Sequence, residues 1–206
     1  VLFAPFSSAL TPVWESYAPQ LGVATSEAAK QWLASGDRIY VVGTHSLVAM
    51  QTSSGAVQWT REIGPDPTLS LLSDGGVAVL TGGRDGVPCV LDRYGPAGEL
   101  VWSKVLPLGA TMAVLLPTPM PANAIVVHYD GWSGGVITLE LDGSERWRGR
   151  IGVDSPGCIV GVAGTIACVG NWDVRVFGAS DGHFERCPIE AIYDRWSSYR
   201  LAAQAD

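Results

Sequence analysis

Short apolar runs separated by glycine-containing turns recur along the chain. The clearest example spans residues 46–59, where two such runs flank the turn Ser53-Ser54-Gly55. In an extended strand, successive side chains point to opposite faces, and the first run places apolar side chains on both. Gly55 supplies the positive φ that a tight turn needs. The stretch therefore predicts a β-hairpin whose first strand is buried on both faces.

This hairpin recurs three times in altered form. In three of the four units a tryptophan follows the turn glycine by four residues, as in Gly55 and Trp59, Gly98 and Trp102, and Gly143 and Trp147. A fourth turn, at Gly182, lacks the tryptophan. Trp14 lies 45 residues before Trp59, and the later tryptophan intervals are 43 and 45. A repeat of forty-odd residues with several strands per unit is typical of β-propeller blades.

The chain is therefore predicted to be all-β, with about four four-stranded propeller blades in a single domain. The blades are expected at about 24–63, 68–108, 111–152 and 157–192, followed by a tail at 193–206. An arc of four blades would leave two exposed blade faces, which favours a part of a larger propeller. The residues expected to pack blade against blade are Trp14, Trp59, Trp102, Trp147, Gly55, Gly98, Gly143 and Gly182.

Two stretches are ambiguous in the sequence. Residues 26–33 have helical propensity with Ser26 as a cap, whereas the repeat register predicts an innermost strand there. Residues 105–127 carry no charged side chain, as a membrane-spanning helix would require. Four prolines interrupt the stretch, however, and they exclude a continuous helix. We predict two buried strands joined by a proline-rich loop in this second stretch.

Composition narrows the range of partners. Apolar residues make up 47% of the chain and charged residues only 16%, which suits sheets packed on both faces or surface buried against other proteins. The net charge is −7, and no cluster of lysine and arginine offers a phosphate-binding stripe. Nucleic acid is therefore not an expected partner, and neither is a small-molecule substrate.

The motifs that match a known chemical pattern are weak. Gly131-Trp132-Ser133-Gly134-Gly135 fits the Gly-x-Ser-x-Gly string, but a nucleophile elbow needs a strand before it and a helix after it. Both flanks here read as strands. His45 and His128 have no partner nearby in the sequence, and the Asp-Gly pairs are ordinary turn chemistry. We predict no catalytic residues, no bound cofactor and no metal site.

The cysteines allow two interpretations. Cys158 and Cys168 are symmetric about Ala163, so a short hairpin turning there would set them opposite each other on two strands. They could form a disulfide in an oxidising compartment, or remain two buried thiols, since cysteine is common in β-sheet cores. Cys89 and Cys187 are predicted to be free thiols.

The repeats resemble those of quinoprotein-type propellers, whose blades carry the pattern Ala-x-Asp-x-x-Thr-Gly-x-x-x-Trp. Ala49, Gly55 and Trp59 match it, while Gln51 and Ser54 replace the Asp and the Thr. The resemblance covers nearly the whole chain and implies the fold rather than a function. Quinone enzymes of this superfamily use adjacent cysteines and an acidic calcium site, whereas this chain has no vicinal cysteines; many members bind no quinone and act as scaffolds.

A narrower resemblance is to the luminal N-terminal propeller of ER membrane protein complex subunit 1. It rests on Trp14-Glu15-Ser16-Tyr17, on residues 37–44 running into the hairpin at 47–59, and on the two-cysteine segment 157–168. It implies a non-enzymatic scaffold on the lumen side of the endoplasmic reticulum. Such a scaffold would contact other protein subunits, associate with the membrane through them or through other segments, and assist membrane-protein insertion.

Two other functions stay open. One is a propeller scaffold in another large assembly, such as an outer-membrane (BamB-like) or organellar complex, which would make the protein secreted or organellar. The other is a degenerate quinoprotein or hydrolase enzyme. Protein partners are expected for either kind of scaffold, and a small-molecule ligand only for the enzyme.

Overall fold

The structure is a computed structural model. It describes residues 31–83, 87–106, 112–116, 123–130, 134–151, 157–160, 165–169, 173–178 and 180–188. The predictions for Trp14 and for the tail at 193–206 lie outside the described residues, as do the first residues of the predicted first blade and the end of the predicted fourth.

Within the described residues, sixteen strands form four antiparallel sheets of four strands each. The strands of the first sheet, β1 to β4, span Gln31–Ser35, Arg38–Val42, Ser46–Gln51 and Val57–Glu62. Those of the second, β5 to β8, span Thr68–Leu71, Val77–Thr81, Cys89–Tyr94 and Leu100–Leu106.

The other two sheets repeat this arrangement. The strands of the third sheet, β9 to β12, span Met112–Leu116, Ile125–Asp130, Gly135–Leu139 and Glu145–Arg150. Those of the fourth, β13 to β16, span Gly157–Val160, Thr165–Val169, Asp173–Gly178 and Phe184–Pro188. In each sheet every strand pairs with the next one along the chain, so each sheet is a simple meander.

The first strand of each sheet is innermost and the fourth is outermost. β1 lies against β5, β5 against β9, and β9 against β13, so the first strands approach one another where the sheets converge. In the first three sheets the fourth strand is the most exposed, as in β4, where five of the six residues are exposed. The sheets are therefore arranged around a common axis with their outer strands at the rim.

The core lies between the faces of consecutive sheets. All five residues of β6 are buried, because its side chains point alternately toward the sheets on either side, the first and the third. Val77 and Val79 pack with the first sheet, whereas Ala78 and Leu80 pack with the third. A third cluster, which includes Phe177, fills the space between the third and fourth sheets. Central strands buried on both faces explain the low charge of the chain.

Each of the first three sheets has the same irregularity between its third and fourth strands. The register shifts after the pairs Ala49–Trp59, Arg93–Trp102 and Thr138–Trp147, so the fourth strand contains one extra residue next to each tryptophan. Such a β-bulge increases the local twist and re-aims the neighbouring side chain. The three tryptophans therefore occupy equivalent positions in successive sheets.

Both ambiguous stretches contain strands. The repeat register predicts a strand at 26–33, and the observed strand Gln31–Ser35 overlaps it at residues 31–33; residues 26–30 lie outside the described part. In the charge-free stretch, β9 and β10 are strands, and the proline-rich segment between them is not described. Within the described residues no helix is long and apolar enough to cross a bilayer.

Candidate functional site

The fourth strand of each of the first three sheets fastens that sheet to the next through its tryptophan. The Trp59 indole Nε1 donates a hydrogen bond to the Pro96 carbonyl at 3.0 Å. One sheet further on, the Trp102 Nε1 donates to the Leu141 carbonyl at 2.9 Å. Each acceptor lies two residues before the turn glycine of the following sheet, so the same contact is made at these two junctions.

The ring of each tryptophan lies directly on that turn glycine. A Cβ added to Gly98 would lie 2.6 Å from the Trp59 ring, and one added to Gly182 would lie 2.7 Å from the Trp147 ring. Gly98 also has a φ of +83°, a conformation that side-chain-bearing residues avoid. Glycine is thus required there both by the backbone and by the approach of the indole.

A basic side chain reinforces two of these junctions. The Arg61 Nε donates to the Gly98 carbonyl at 2.6 Å, and the Lys104 Nζ donates to the Gly143 carbonyl at 2.8 Å. Each cation lies two residues after its tryptophan and therefore on the same face of the strand. The Arg61 guanidinium is also 5.9 Å from the centre of the Trp59 ring, within the range of a cation–π contact.

The third junction replaces the cation by an aromatic ring. Gly149 occupies the position two residues after Trp147, and a Cβ there would lie 2.6 Å from the Phe177 ring. Phe177 fills this space and stacks on Trp147, with the ring centres 5.6 Å apart and the planes 19° from parallel. Packed rings therefore take the place of the cation of β4 and β8 here, and the cation of this junction comes from the fourth sheet, where the Arg175 Nη1 donates to the Arg150 carbonyl at 2.8 Å.

The innermost strands of the first two sheets, β1 and β5, are joined by the side-chain amide of Gln31, which makes two hydrogen bonds to the backbone of Leu69. The Gln31 amide oxygen accepts from the Leu69 N–H at 2.8 Å, and its Nε2 donates to the Leu69 carbonyl at 2.9 Å. The Tyr40 hydroxyl donates to the Gly75 carbonyl at 2.7 Å. Burial raises the pKa of Tyr40, and the nearby Arg38 opposes that rise. The first two sheets are thus linked at both their inner and outer edges.

The two cysteines of the fourth sheet lie opposite each other. Cys158 on β13 pairs with Cys168 on β14, with the Cα atoms 4.1 Å apart, and the two form a disulfide. Both side chains are buried. The bond between them agrees with the first of the two interpretations left open by the sequence, a disulfide, and not with two buried thiols. Cys89 is a buried free thiol whose pKa is raised by burial, and the side chain of Cys187 lies outside the described residues.

Removing the disulfide is expected to lower the free energy of unfolding by about 3 kcal/mol, because the bond closes a loop of ten residues. The Cys158→Ala/Cys168→Ala variant and the wild type would be unfolded thermally with and without reductant. Reductant should lower the unfolding midpoint of the wild type only, because the variant has no disulfide to reduce. Cys89 and Cys187 are present in both proteins, so the variant controls for any effect of reductant on them. If the wild type has the same unfolding midpoint with and without reductant, the disulfide is contradicted.

Comparisons with known proteins bear on the fold. No family model matches the chain, and no curated protein matches it in sequence. Among solved structures, BamB from Moraxella catarrhalis is similar with 20% identity and a TM-score of 0.52, over 72% of this chain and 45% of that one. The WD40 domain of Pan2 from Neurospora crassa is similar with 14% identity and a TM-score of 0.57, over 78% and 52%.

A protein of unknown function from Bacteroides caccae is also similar, with 12% identity and a TM-score of 0.54, over 84% of this chain and 65% of that one. The four-stranded meanders, arranged around an axis and joined by equivalent tryptophans, agree with these likenesses. The fold is a β-propeller. The chain spans less than two thirds of the length of each of these structures, so it corresponds to part of a propeller.

The described residues that were predicted to pack blade against blade lie at the blade junctions or at the equivalent turn. Trp59, Trp102 and Trp147 each pack on the next blade's turn glycine, namely Gly98, Gly143 and Gly182. Gly55 occupies the corresponding turn of the first blade with a φ of +68°. Trp14 lies outside the described residues. The sequence alone did not reveal the basic residues Arg61 and Lys104, although their position two residues after a tryptophan is a usable signal.

The two described histidine candidates lie on different sheets, His45 next to β3 and His128 on β10. The Gly-x-Ser-x-Gly string follows β10 and ends at Gly135, the first residue of β11, and Ser133 itself lies outside the described residues. His45 is exposed in the turn between β2 and β3, whereas His128 is buried within β10. Among the described residues, no three His, Cys, Asp or Glu side chains come together in a way that would hold a metal ion.

Two ion pairs join a strand residue to a turn residue. Arg146 forms a double hydrogen bond with the Glu140 carboxylate, at 2.6 and 2.7 Å, and this holds the pKa of Glu140 below its ordinary value. Arg93 forms an ion pair with Asp74 in the second blade. These contacts order the turn side of the blades. The carboxylates of both pairs are partly exposed, so solvent screens the pairs and their contribution to stability is small.

Proposed function

We propose that this chain is a non-catalytic interaction propeller in a membrane-associated protein complex. Its role would resemble that of the luminal propeller of ER membrane protein complex subunit 1, which supports membrane-protein insertion. The observation that carries the proposal is the propeller fold, whose blade interfaces are filled by tryptophan and aliphatic side chains while apolar residues remain exposed at the rim. Large exposed apolar groups favour protein partners.

The cysteines support a compartment for this complex. A disulfide within a blade persists in an oxidising environment such as the lumen of the endoplasmic reticulum and is rare in the cytosol. We therefore propose a location on the lumen side of the membrane. A periplasmic or secreted propeller scaffold in another assembly is the second candidate, since the same disulfide would persist there.

The proposal can be tested by affinity purification of the tagged full-length protein from its native cells after the membranes are dissolved in detergent. A fixed set of integral membrane proteins and luminal subunits should co-purify in constant ratio. A tagged protein of the same compartment with no membrane partners serves as the control. Recovery in the aqueous fraction without stoichiometric partners would contradict the proposal.

The same cells test the compartment. Lysis in acid followed by a thiol reagent should leave Cys158 and Cys168 unmodified unless a reductant is added first. Modification of both cysteines without reductant would contradict the luminal location. Co-purification with envelope proteins of a bacterial cell, in place of reticulum proteins, would favour the second candidate.

A further inference from the structure

The outermost strand of the second blade, β8, has an exposed and unusually apolar edge. Leu100 is 54% exposed, Val101 45% and Val105 61%. β8 is the terminal strand of its sheet, so along its outer side the backbone groups have no neighbouring strand within the sheet. An exposed apolar edge of this kind is a template for pairing with another strand.

The other three outer strands are protected by charge. β4 carries Arg61 and Glu62, and β12 carries one glutamate and three arginines. β16 carries a glutamate and an arginine and ends at Pro188. Charged side chains and proline at an edge discourage pairing. β8 carries a single charge, Lys104, although it is the longest of these strands.

The sequence of β8 indicates what can pair with it. Leu100-Val101-Trp102-Ser103-Lys104-Val105-Leu106 reads almost the same in both directions, with Ser103 at its centre. Two antiparallel copies centred on Ser103 would therefore place Trp102 opposite Lys104, with the bulge residue Val101 level with Val105 and Leu100 level with Leu106 at the two ends. Cross-strand pairs of β-branched residues are stabilising, and no like charges face each other in this register.

We propose that a second copy of this chain pairs with β8 edge to edge, antiparallel and centred on Ser103. A two-fold axis through the Ser103 pair makes the contact isologous and closed, so it yields dimers rather than fibres. The second blades of the two copies then form one continuous eight-stranded sheet. This inference goes beyond the proposed scaffold function and does not depend on the other partners.

The symmetry allows a charge test in the purified full-length protein. In Val101→Lys/Val105→Lys, lysine faces lysine of the other copy twice, and the dimer dissociation constant should rise about tenfold or more. In Val101→Glu/Val105→Lys, each glutamate faces a lysine, and the dimer should be retained. Sedimentation velocity over a range of concentrations measures both constants.

A control places the same charges on another outer strand. Val57 and Thr60 on β4 are both exposed, so Val57→Lys/Thr60→Lys should dimerise like the wild type. Far-UV circular dichroism checks that each variant is folded. A wild type that stays monomeric at all concentrations would overturn the proposal, as would a double-lysine variant that dimerises as tightly as the wild type.

Cross-linking tests the register without altering the apolar edge. Ser103 is exposed, and at the centre of the pairing its Cα would lie within disulfide range of Ser103 of the second copy. Ser103→Cys should therefore form a covalent dimer under mild oxidation, in contrast to Gln58→Cys on β4. Equal cross-linking of the two variants would overturn the assigned register even if the double-lysine variant failed to fold.

Discussion

Replacing Trp102 with alanine is expected to lower the free energy of unfolding by about 3 kcal/mol. The indole ring packs on Gly143, and its Nε1 donates to the Leu141 carbonyl of the next blade. The substitution removes both contacts and leaves a cavity between two blades. Urea denaturation followed by far-UV circular dichroism measures the loss without relying on tryptophan fluorescence.

Trp32 provides a matched control for this substitution. It lies on β1 and is 67% exposed, so Trp32→Ala should change the free energy of unfolding by no more than about 0.5 kcal/mol. Equal losses for the two variants would show that the cost comes from deleting a tryptophan in general, and the junction would then have no special role.

Replacing Gly98 with alanine is expected to cost about 3 kcal/mol. A residue with a side chain at a φ of +83° costs about 1–2 kcal/mol, and the forced displacement of the Trp59 ring adds about 1–3 kcal/mol. The added Cβ would lie 2.6 Å from the ring, too close for any real contact. Thermal unfolding of the variant and the wild type measures the difference.

Gly36 separates the two causes. Its φ is +59°, and nothing lies within 4 Å of an added Cβ, so Gly36→Ala carries the backbone cost alone, about 1 kcal/mol. The Gly98 variant should therefore unfold at a clearly lower temperature than the Gly36 variant. If the two variants unfold together, the indole contact does not constrain the turn.

Much of this fold can be predicted because local and repeat signals agree. The short apolar runs at Val77–Thr81 and Met112–Leu116 form strands, as the repeated pattern predicts. Helical propensity at 26–33 competes with the strand register, and the strand at Gln31–Ser35 forms because it pairs with β2 and packs against β5. Tertiary contacts therefore override local propensity there.

The partner of each tryptophan could not be predicted from local spacing. The four-residue offset associates Trp59 with Gly55 in one hairpin, whereas the ring packs on Gly98, 39 residues later in the chain. The offset fixes only which face of the strand carries the indole. The identity of the glycine beneath it depends on how consecutive blades stack, which a single hairpin does not encode.

The pairing of the two cysteines, in contrast, could be predicted from local spacing. The turn of a hairpin fixes its register, so residues equidistant from the turn face each other. Cys158 and Cys168 do so on β13 and β14. Their oxidation state depends on the compartment as well as on geometry, and the spacing alone left that open.

The most direct test of the interlocked blades is a double-mutant cycle between Trp59 and Gly98. With Trp59→Ala already present, Gly98→Ala should cost only about 1 kcal/mol, since the ring that it displaces is gone, which leaves a coupling of about 2 kcal/mol. With Trp102→Ala present instead, Gly98→Ala should still cost about 3 kcal/mol. The same cost for Gly98→Ala in both backgrounds would contradict the account.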